Sequence, residues 1–280
     1  MVSIVVPAHN EARVIGRLLG DLLAVARPGE FDIIVVPNGC TDETEEVAAS
    51  FGAPVRVIAS PEPSKAAALR LGDQAAQSFP RLYVDADVEL RTEDVRELVA
   101  ALREPGVLAA APDRQLELTA SSWPIRWYYQ VWTRLPEVQR GLFGRGVIAV
   151  TREGHQRLER LPQVIADDLA SSLAFAPEER VIVASARVVV HPPRTWGDLI
   201  RRRVRAVTGV EQLERTDLDQ AGGSARTSMR DLARMARREP LLVPPLVVFI
   251  GVALIAKARA AKAVRRNDYS AWQRDESSRA

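Results

Sequence analysis

Asp85, Ala86 and Asp87 close an apolar run, RLYVDADVEL, and set two carboxylates two residues apart. If residues 82–84 form a strand, both acids stand at its C-terminal tip, where open α/β sheets bind ligands. Such a pair suits a hard divalent cation that also carries a diphosphate. It also suits an acidic turn in which an aspartate caps the next helix. A second pair, Asp167-Asp168, opens an amphipathic stretch, where negative charge favours a helix N-terminus. Pro7, Ala8, Asn10 and Glu11 follow the first apolar run, at a strand end and helix start whose backbone N–H groups attract phosphate. Asn10 alone reads equally as a helix cap. Gly141, Gly144 and Gly146 could admit a ligand close to the backbone or simply form a turn.

These groups need elements to hold them. Apolar runs at residues 2–6, 32–36, 55–59 and 82–84 read as strands. Between and after them, helical spacing marks residues 11–26, a helix carrying Val47, Ala48 and Phe51, residues 64–77 and residues 93–102, the last capped by Thr92. Thr41 or Asp42 can cap the second of these helices. The resulting β-α alternation predicts an α/β fold with a mostly parallel sheet covered on both faces. Beyond residue 105 the pattern loosens. Residues 107–111, 141–150 and 180–190 read as strands; 163–175 and 196–209 read as helices; 121–135 is aromatic and irregular; 217–228 reads as a loop.

The 280 residues carry a net charge of +2, but the halves differ. Residues 1–192 hold 20 Lys/Arg against 26 Asp/Glu; residues 193–280 hold 18 against 10. A basic tail after an acidic body points to an anionic partner, nucleic acid or a membrane face. The single cysteine, Cys40, excludes an internal disulfide and suits a reducing compartment. The start lacks a basic stretch before its apolar run, so no secretory signal is expected.

Four segments, VVPAHNEA, VVPNGCTDET, YVDADVEL and ADDLASSLAF, stand in an order that resembles glycosyltransferase family 2, nucleotide-sugar transferases with a GT-A fold. The resemblance covers residues 1–210 and implies a catalytic domain there, with 211–280 a basic helical tail. It implies that the first segment lines the nucleotide pocket and that Asn38 stands where the family has a base-reading Asp. It further implies that Lys65 lies near the nucleotide. Asp87 would ligate Mg²⁺ or Mn²⁺, with Asp85 on ribose or the metal's water shell, and His191 is a further candidate ligand. Asp168 would be the general base, supported by Asp167. Arg203, within Arg201-Arg202-Arg203, would sit near the diphosphate; a solvated basic face is the plainer reading. The family's Gln-x-x-Arg-Trp signature of processive synthases is absent, which favours transfer of one sugar.

The implied partners are a UDP- or GDP-linked donor and a hydroxyl acceptor, lipid-linked or part of an envelope glycan, without nucleic acid. Residues 241–256 carry no charge, fall short of the ~20 residues of a spanning helix, and are flanked by basic residues. They are expected to insert shallowly into a membrane, with catalysis on the cytoplasmic inner face, or to bury against protein. Trp123, Trp127, Tyr128, Tyr129 and Trp132 could pack a core, stack on sugar or sit at a membrane interface. Two other readings stand beside sugar transfer: nucleotidyl transfer, and a degenerate non-catalytic member that acts as a membrane-associated partner, motivated by Pro37 and Asn38.

Overall fold

A computed structural model describes residues 1–161, 167–214 and 228–265, with the side chains of 167–169, 210–214 and 262–265 outside the description. The first part alternates β1 (Val2–Ala8), α1 (Ile15–Leu23), β2 (Phe31–Pro37), α2 (Thr44–Ala49), β3 (Val55–Val57), α3 (Lys65–Ala75), β4 (Arg81–Val84) and α4 (Thr92–Ala101). There follow β5 (Ala109–Leu116), α5 (Trp123–Trp132), α6 (Pro136–Arg140), β6 (Val147–Val150), α7 (Arg152–Glu159), α8 (Asp167–Leu173) and β7 (Arg180–Val190). The chain ends in α9 (Trp196–Glu214), α10 (Met229–Arg238) and α11 (Val243–Arg265).

The strands form one sheet of order β3-β2-β1-β4-β6-β5-β7. β1 pairs parallel with β2 and β4, and β2 with β3; β5 pairs parallel with β7. Only β6 runs against its neighbours, β4 and β5. The expected mostly parallel α/β sheet is therefore present. Alternate residues explain why the strands read as apolar runs. Ile4 and Val6 of β1 pack on one face with α1 and α4, while Val5 packs on the other with Ala68 of α3. Helix α1 presents Ile15, Leu18, Leu19 and Leu22 at helical spacing, all fully buried. Each such side chain contributes about 1.5–3 kcal/mol by leaving water.

Several details differ from the sequence reading. Residues 123–132 are helical, because Pro124 starts the helix and Ile125, Tyr128, Tyr129 and Val131 all find buried partners. Thr92 does not cap α4; its hydroxyl donates to Leu22 O (2.9 Å) and ties α4 to the end of α1. Ser64 caps α3 by accepting from Ala67 N (3.2 Å). Pro112 lies inside β5, where the register with β7 shifts, as a strand proline requires. The strand expected over 141–150 is confined to its last four residues. The loop expected at 217–228 lies outside the described residues except Ser228.

A second core joins α5, α9 and α11 through Tyr128, Val131, Leu199, Val204, Leu246, Phe249 and Val252. On α4, Arg96 grips both oxygens of Glu30 through Nε and Nη2 (2.7 and 2.8 Å) and also donates to Val25 O (3.0 Å). That bond holds the Glu30 carboxyl down at about 2. A depressed carboxyl stabilises the fold above its ordinary value of 4.5 and loses that contribution as pH falls toward 2. A Glu30→Gln variant is therefore expected to lose less thermal stability than wild type between those pH values, read by the unfolding midpoint.

Candidate functional site

The site is built on the C-terminal tips of β1, β2 and β4. The two loops after β1 and β2 are laced together. Asn38 N donates to Ala8 O (2.8 Å), Thr41 N to Asn10 Oδ1 (2.7 Å), Glu11 N to Thr44 Oγ1 (2.7 Å) and Ala12 N to Asp42 Oδ2 (3.1 Å). Asp42 also accepts from Thr44 N (3.2 Å) at the start of α2, but Glu43 holds the N-cap position and makes no side-chain cap bond, so neither Thr41 nor Asp42 is the cap. Asn10 takes a left-handed backbone (φ 54°), a conformation asparagine tolerates better than most residues.

Asn38 is only 2% exposed. Its amide nitrogen donates to Ala8 O (2.8 Å) and Val36 O (3.3 Å), while Oδ1 is buried without a hydrogen-bond partner. An orphaned acceptor of this kind costs stability unless a donor reaches it.

At the tip of β4, Asp85, Asp87 and Glu89 are half-buried and alternate with buried Ala86, Val88 and Leu90. Asp85 pairs with Lys65 Nζ (2.9 Å) at the start of α3. Glu89 Oε1 meets His191 Nε2 (2.8 Å) and Arg17 (3.4 Å). Sequence reasoning missed Glu89, although the alternation in DADVEL carries the signal. His191 thus stands at the end of β7 on Glu89. Among the described residues no three His, Cys, Asp or Glu side chains converge as a metal cage. Asp87 and Asp85 suit a cation held by one or two carboxylates and completed by phosphate and water, the usual arrangement for Mg²⁺.

A crevice of about 470 Å³ opens beside this tip, between α3 on one side and α7 and α8 on the other. Pro7, Lys65, Asp85 and Gly146 line its upper part, and Tyr83 and His155 its lower part. There Tyr83 Oη donates to Asp73 Oδ1 (2.8 Å) and accepts from His155 Nδ1 (2.8 Å), while Arg81 donates to Asp73 (2.8 Å) and to His155 Nε2 (3.2 Å). Burial pushes the Tyr83 hydroxyl well above its ordinary range, so it stays protonated. The sequence reading did not find this network; Arg81 and His155 within it are 74 positions apart.

Ala170 and Ser171 of α8 also line the crevice. Asp167 and Asp168 begin that helix, and their side chains lie outside the described residues. The helix is anchored by Ser172, whose hydroxyl accepts from Leu142 N (3.0 Å). Arg203 lies elsewhere: its guanidinium stands over the Tyr128 ring at 5.9 Å, in the second core, and it does not line the crevice.

Two arginines, one buried and one half-buried, shape the loop before β6. Arg145, 2% exposed, donates to Pro112 O (2.8 Å), Gln139 O (3.2 Å) and Gly141 O (3.3 Å), with Asp113 at 3.4 Å. Arg114 donates to Gly144 O (3.4 Å) and Val138 O and stacks over Trp132. Burial, helped by the like charge of Arg145, draws the Arg114 guanidinium down to about 9.

The family model for glycosyl transferase family 2 matches residues 3–155, more than half of the chain, and the chain belongs to that family. It is 31% identical over 132 residues to an uncharacterized glycosyltransferase of Mycobacterium tuberculosis, covering 47% of this chain and 56% of that protein. It is 35% identical over 118 residues to 4,4'-diaponeurosporenoate glycosyltransferase of Staphylococcus aureus, covering 39% and 31%. The alignments thus span about half or less of these relatives' lengths. A mannosyltransferase of Pyrobaculum calidifontis, solved with GDP-Man and Mn²⁺, shares the fold with a TM-score of 0.63 at 20% identity, covering 96% of this chain and 81% of the other. Glucosyl-3-phosphoglycerate synthase of Mycobacterium tuberculosis, solved with Mn²⁺, UDP and phosphoglyceric acid, gives 0.57 at 22%, covering 76% and 78%.

Gly146 has φ 67°, and a Cβ there would meet Val88 Cγ1 at 2.6 Å and Asp85 Oδ2 at 3.3 Å. Gly146→Ala is therefore expected to cost about 2 kcal/mol of stability from backbone strain and to weaken nucleotide binding, read by denaturant unfolding and calorimetry together.

Proposed function

We propose that this chain is a metal-dependent, inverting glycosyltransferase that moves one sugar from a nucleotide-diphosphate donor, UDP- or GDP-linked, to a hydroxyl acceptor. The observation that carries the reading is the meeting of Lys65, Asp85 and Pro7 at the mouth of one crevice that α8 also lines, the helix begun by Asp167-Asp168. Family membership and the fold shared with sugar-transferring enzymes support it.

In this reading Ala8, Asn10 and Glu11 present the laced loop to the nucleotide, and Asn38 Oδ1 accepts from the base. Lys65 and Asp85 position the diphosphate and ribose. Asp87 and Asp85 hold the divalent cation; when bound, Mg²⁺ or Mn²⁺ offsets the charge that grows on the leaving diphosphate. Asp168 takes the proton from the acceptor hydroxyl as that oxygen attacks the anomeric carbon and the bond to the diphosphate oxygen breaks. Asp167 supports it. Attack from the face opposite the leaving group inverts the anomeric centre. His191 orients Glu89 beside the cation site or joins the ligands; Arg203 belongs to the basic approach to the site rather than to the diphosphate itself.

Residues 1–210 form the catalytic part and 211–280 the basic tail in this proposal. The enzyme works on the cytoplasmic face of a membrane and takes an acceptor presented there, lipid-linked or part of an envelope glycan. One helix among the described residues, within Pro240–Ala261, is long and apolar enough to cross a bilayer, which supports the association without fixing its form.

Titration of UDP and GDP with and without Mn²⁺ tests the donor site. Metal-dependent binding that Asp87→Ala abolishes is expected; binding indifferent to metal would instead favour a non-catalytic nucleotide binder. With a donor in hand, Asp168→Asn should lower transfer by at least about 100-fold while nucleotide affinity stays within a factor of about two. Full transfer by that variant would remove Asp168 from the mechanism.

A further inference from the structure

Helix α11 has two unlike faces. Leu246, Phe249, Val252, Ala256 and Ala260 are buried against α5 and α9. On the opposite side Val243, Val247, Gly251, Leu254, Ala258 and Ala261 follow one another at three- and four-residue steps, a single helical stripe ~27 Å long at 1.5 Å per residue. Not one of them is charged. Val247 is 67% and Leu254 64% exposed, and Leu241, in the turn before the helix, is 91% exposed. An exposed apolar surface of this extent marks a contact surface.

The stripe has a basic fringe. Lys257 and Arg259 are exposed on its two sides. Helix α10, immediately before it, exposes Arg230, Arg237 and Arg238, with Arg234 shared with Asp231 (2.8 Å). We propose that α11 lies in the plane of an anionic lipid surface, its outer stripe sunk to the acyl boundary and its basic fringe on the headgroups, and that it does not span the bilayer. This rests on the membrane association proposed above and specifies its form.

The neighbours of α11 decide against spanning. Helix α5 runs antiparallel to it: Arg134 pairs with Glu239 (3.5 Å) at one end, and Tyr128 stacks on Phe249 (5.1 Å) near the middle. Arg126 and Gln130, two residues either side of Tyr128, are exposed. A spanning α11 would carry both to mid-bilayer, where arginine is costly. In-plane docking needs no such burial. The exposed, edge-to-face pair Trp123 and Trp127 (4.9 Å) sits one turn along α5 toward the level of Leu254 and supplies amphipathic rings of the kind enriched at membrane interfaces. A second copy of this chain fits the stripe less well, because two fringes of the same sign would face each other.

Flotation of the full chain with phosphatidylcholine vesicles that contain or lack phosphatidylglycerol tests this, without nucleotide or acceptor, so its outcome is independent of the transfer reading. Flotation with the anionic vesicles that falls as salt is raised is expected. Val247→Glu with Leu254→Glu should cut partitioning by more than about tenfold, and so should Arg230→Gln with Arg237→Gln and Arg238→Gln. All five positions are exposed, and circular dichroism checks that the fold is kept. No flotation, or flotation unchanged in either variant, would overturn the proposal. So would resistance to alkaline carbonate extraction from cell membranes, which marks a spanning helix, or a vesicle-free dimer that the glutamate variant dissociates.

Discussion

Everything at the site depends on β6 running against β4. In an all-parallel sheet the start of each strand lies at the far edge from the ligand crevice. The reversal of β6 brings its own start to the tip of β4, so Asp85 N donates to Gly146 O (2.7 Å) just as the acidic segment leaves the sheet. That bond aligns the segment 85–90 and leaves Asp85 facing Lys65. The loop 141–146 is thereby part of the crevice wall although it is remote in sequence from Pro7, Lys65 and Asp85. Its path is set by Arg145 and Arg114, which satisfy backbone carbonyls that no strand partner could reach. A guanidinium taken from water is costly unless its donors are used; here all three nitrogens of Arg145 and both terminal nitrogens of Arg114 donate to carbonyl oxygens of residues 112–144.

Charge at the tip is divided among separate partners. Lys65 answers Asp85, and Arg17 with His191 answers Glu89. Asp87 lies between these two pairs in the alternating segment. This arrangement sets Lys65 and Arg17 on the two flanks of the acidic segment. It also separates the roles of two residues that look equivalent in sequence, since Asp85 already shares a cation within the protein.

The half-sheet β1–β4 was legible because its strands are buried on both faces and its helices keep strict apolar spacing, as in Leu18, Leu19 and Leu22. Strand β7 was legible over its whole length from its run of β-branched residues, although it is an edge strand with Ala184, Ser185 and Arg187 exposed. Helix α5 was not, because its aromatic and β-branched residues have modest helix propensity and their burial comes from α9 and α11, more than seventy residues away. Helices α6, α7 and α10 are too short or too polar to stand out by period. Within the site, Asp85 could be singled out from local sequence, and Lys65 and Asn38 through the family resemblance. The Arg81–Tyr83–Asp73–His155 network could not, since its geometry exists only once α3 and α7 pack on the same face of the sheet. Arg203 shows the converse: a basic run suited to phosphate is drawn instead toward Tyr128 by the packing of α9.

The same point governs α11. By composition, the stretch 241–256 seemed too short to span, and the helix is longer because the alanines beyond Lys257 continue it. Length alone would then make it a membrane span. Its surroundings in the fold are of two kinds. One face is committed to the second core, and the helices that hold that face carry Arg126, Gln130 and Arg201 outward. What a helix can do in lipid is set by the polarity of everything rigidly attached to it, not by its own residues alone. The second core also takes in Leu116, Leu118 and Phe143 from the ends of β5 and the loop before β6. The helix with the apolar outer face is thus packed near the same end of the sheet as the acidic tip, through Leu116, Leu118 and Phe143.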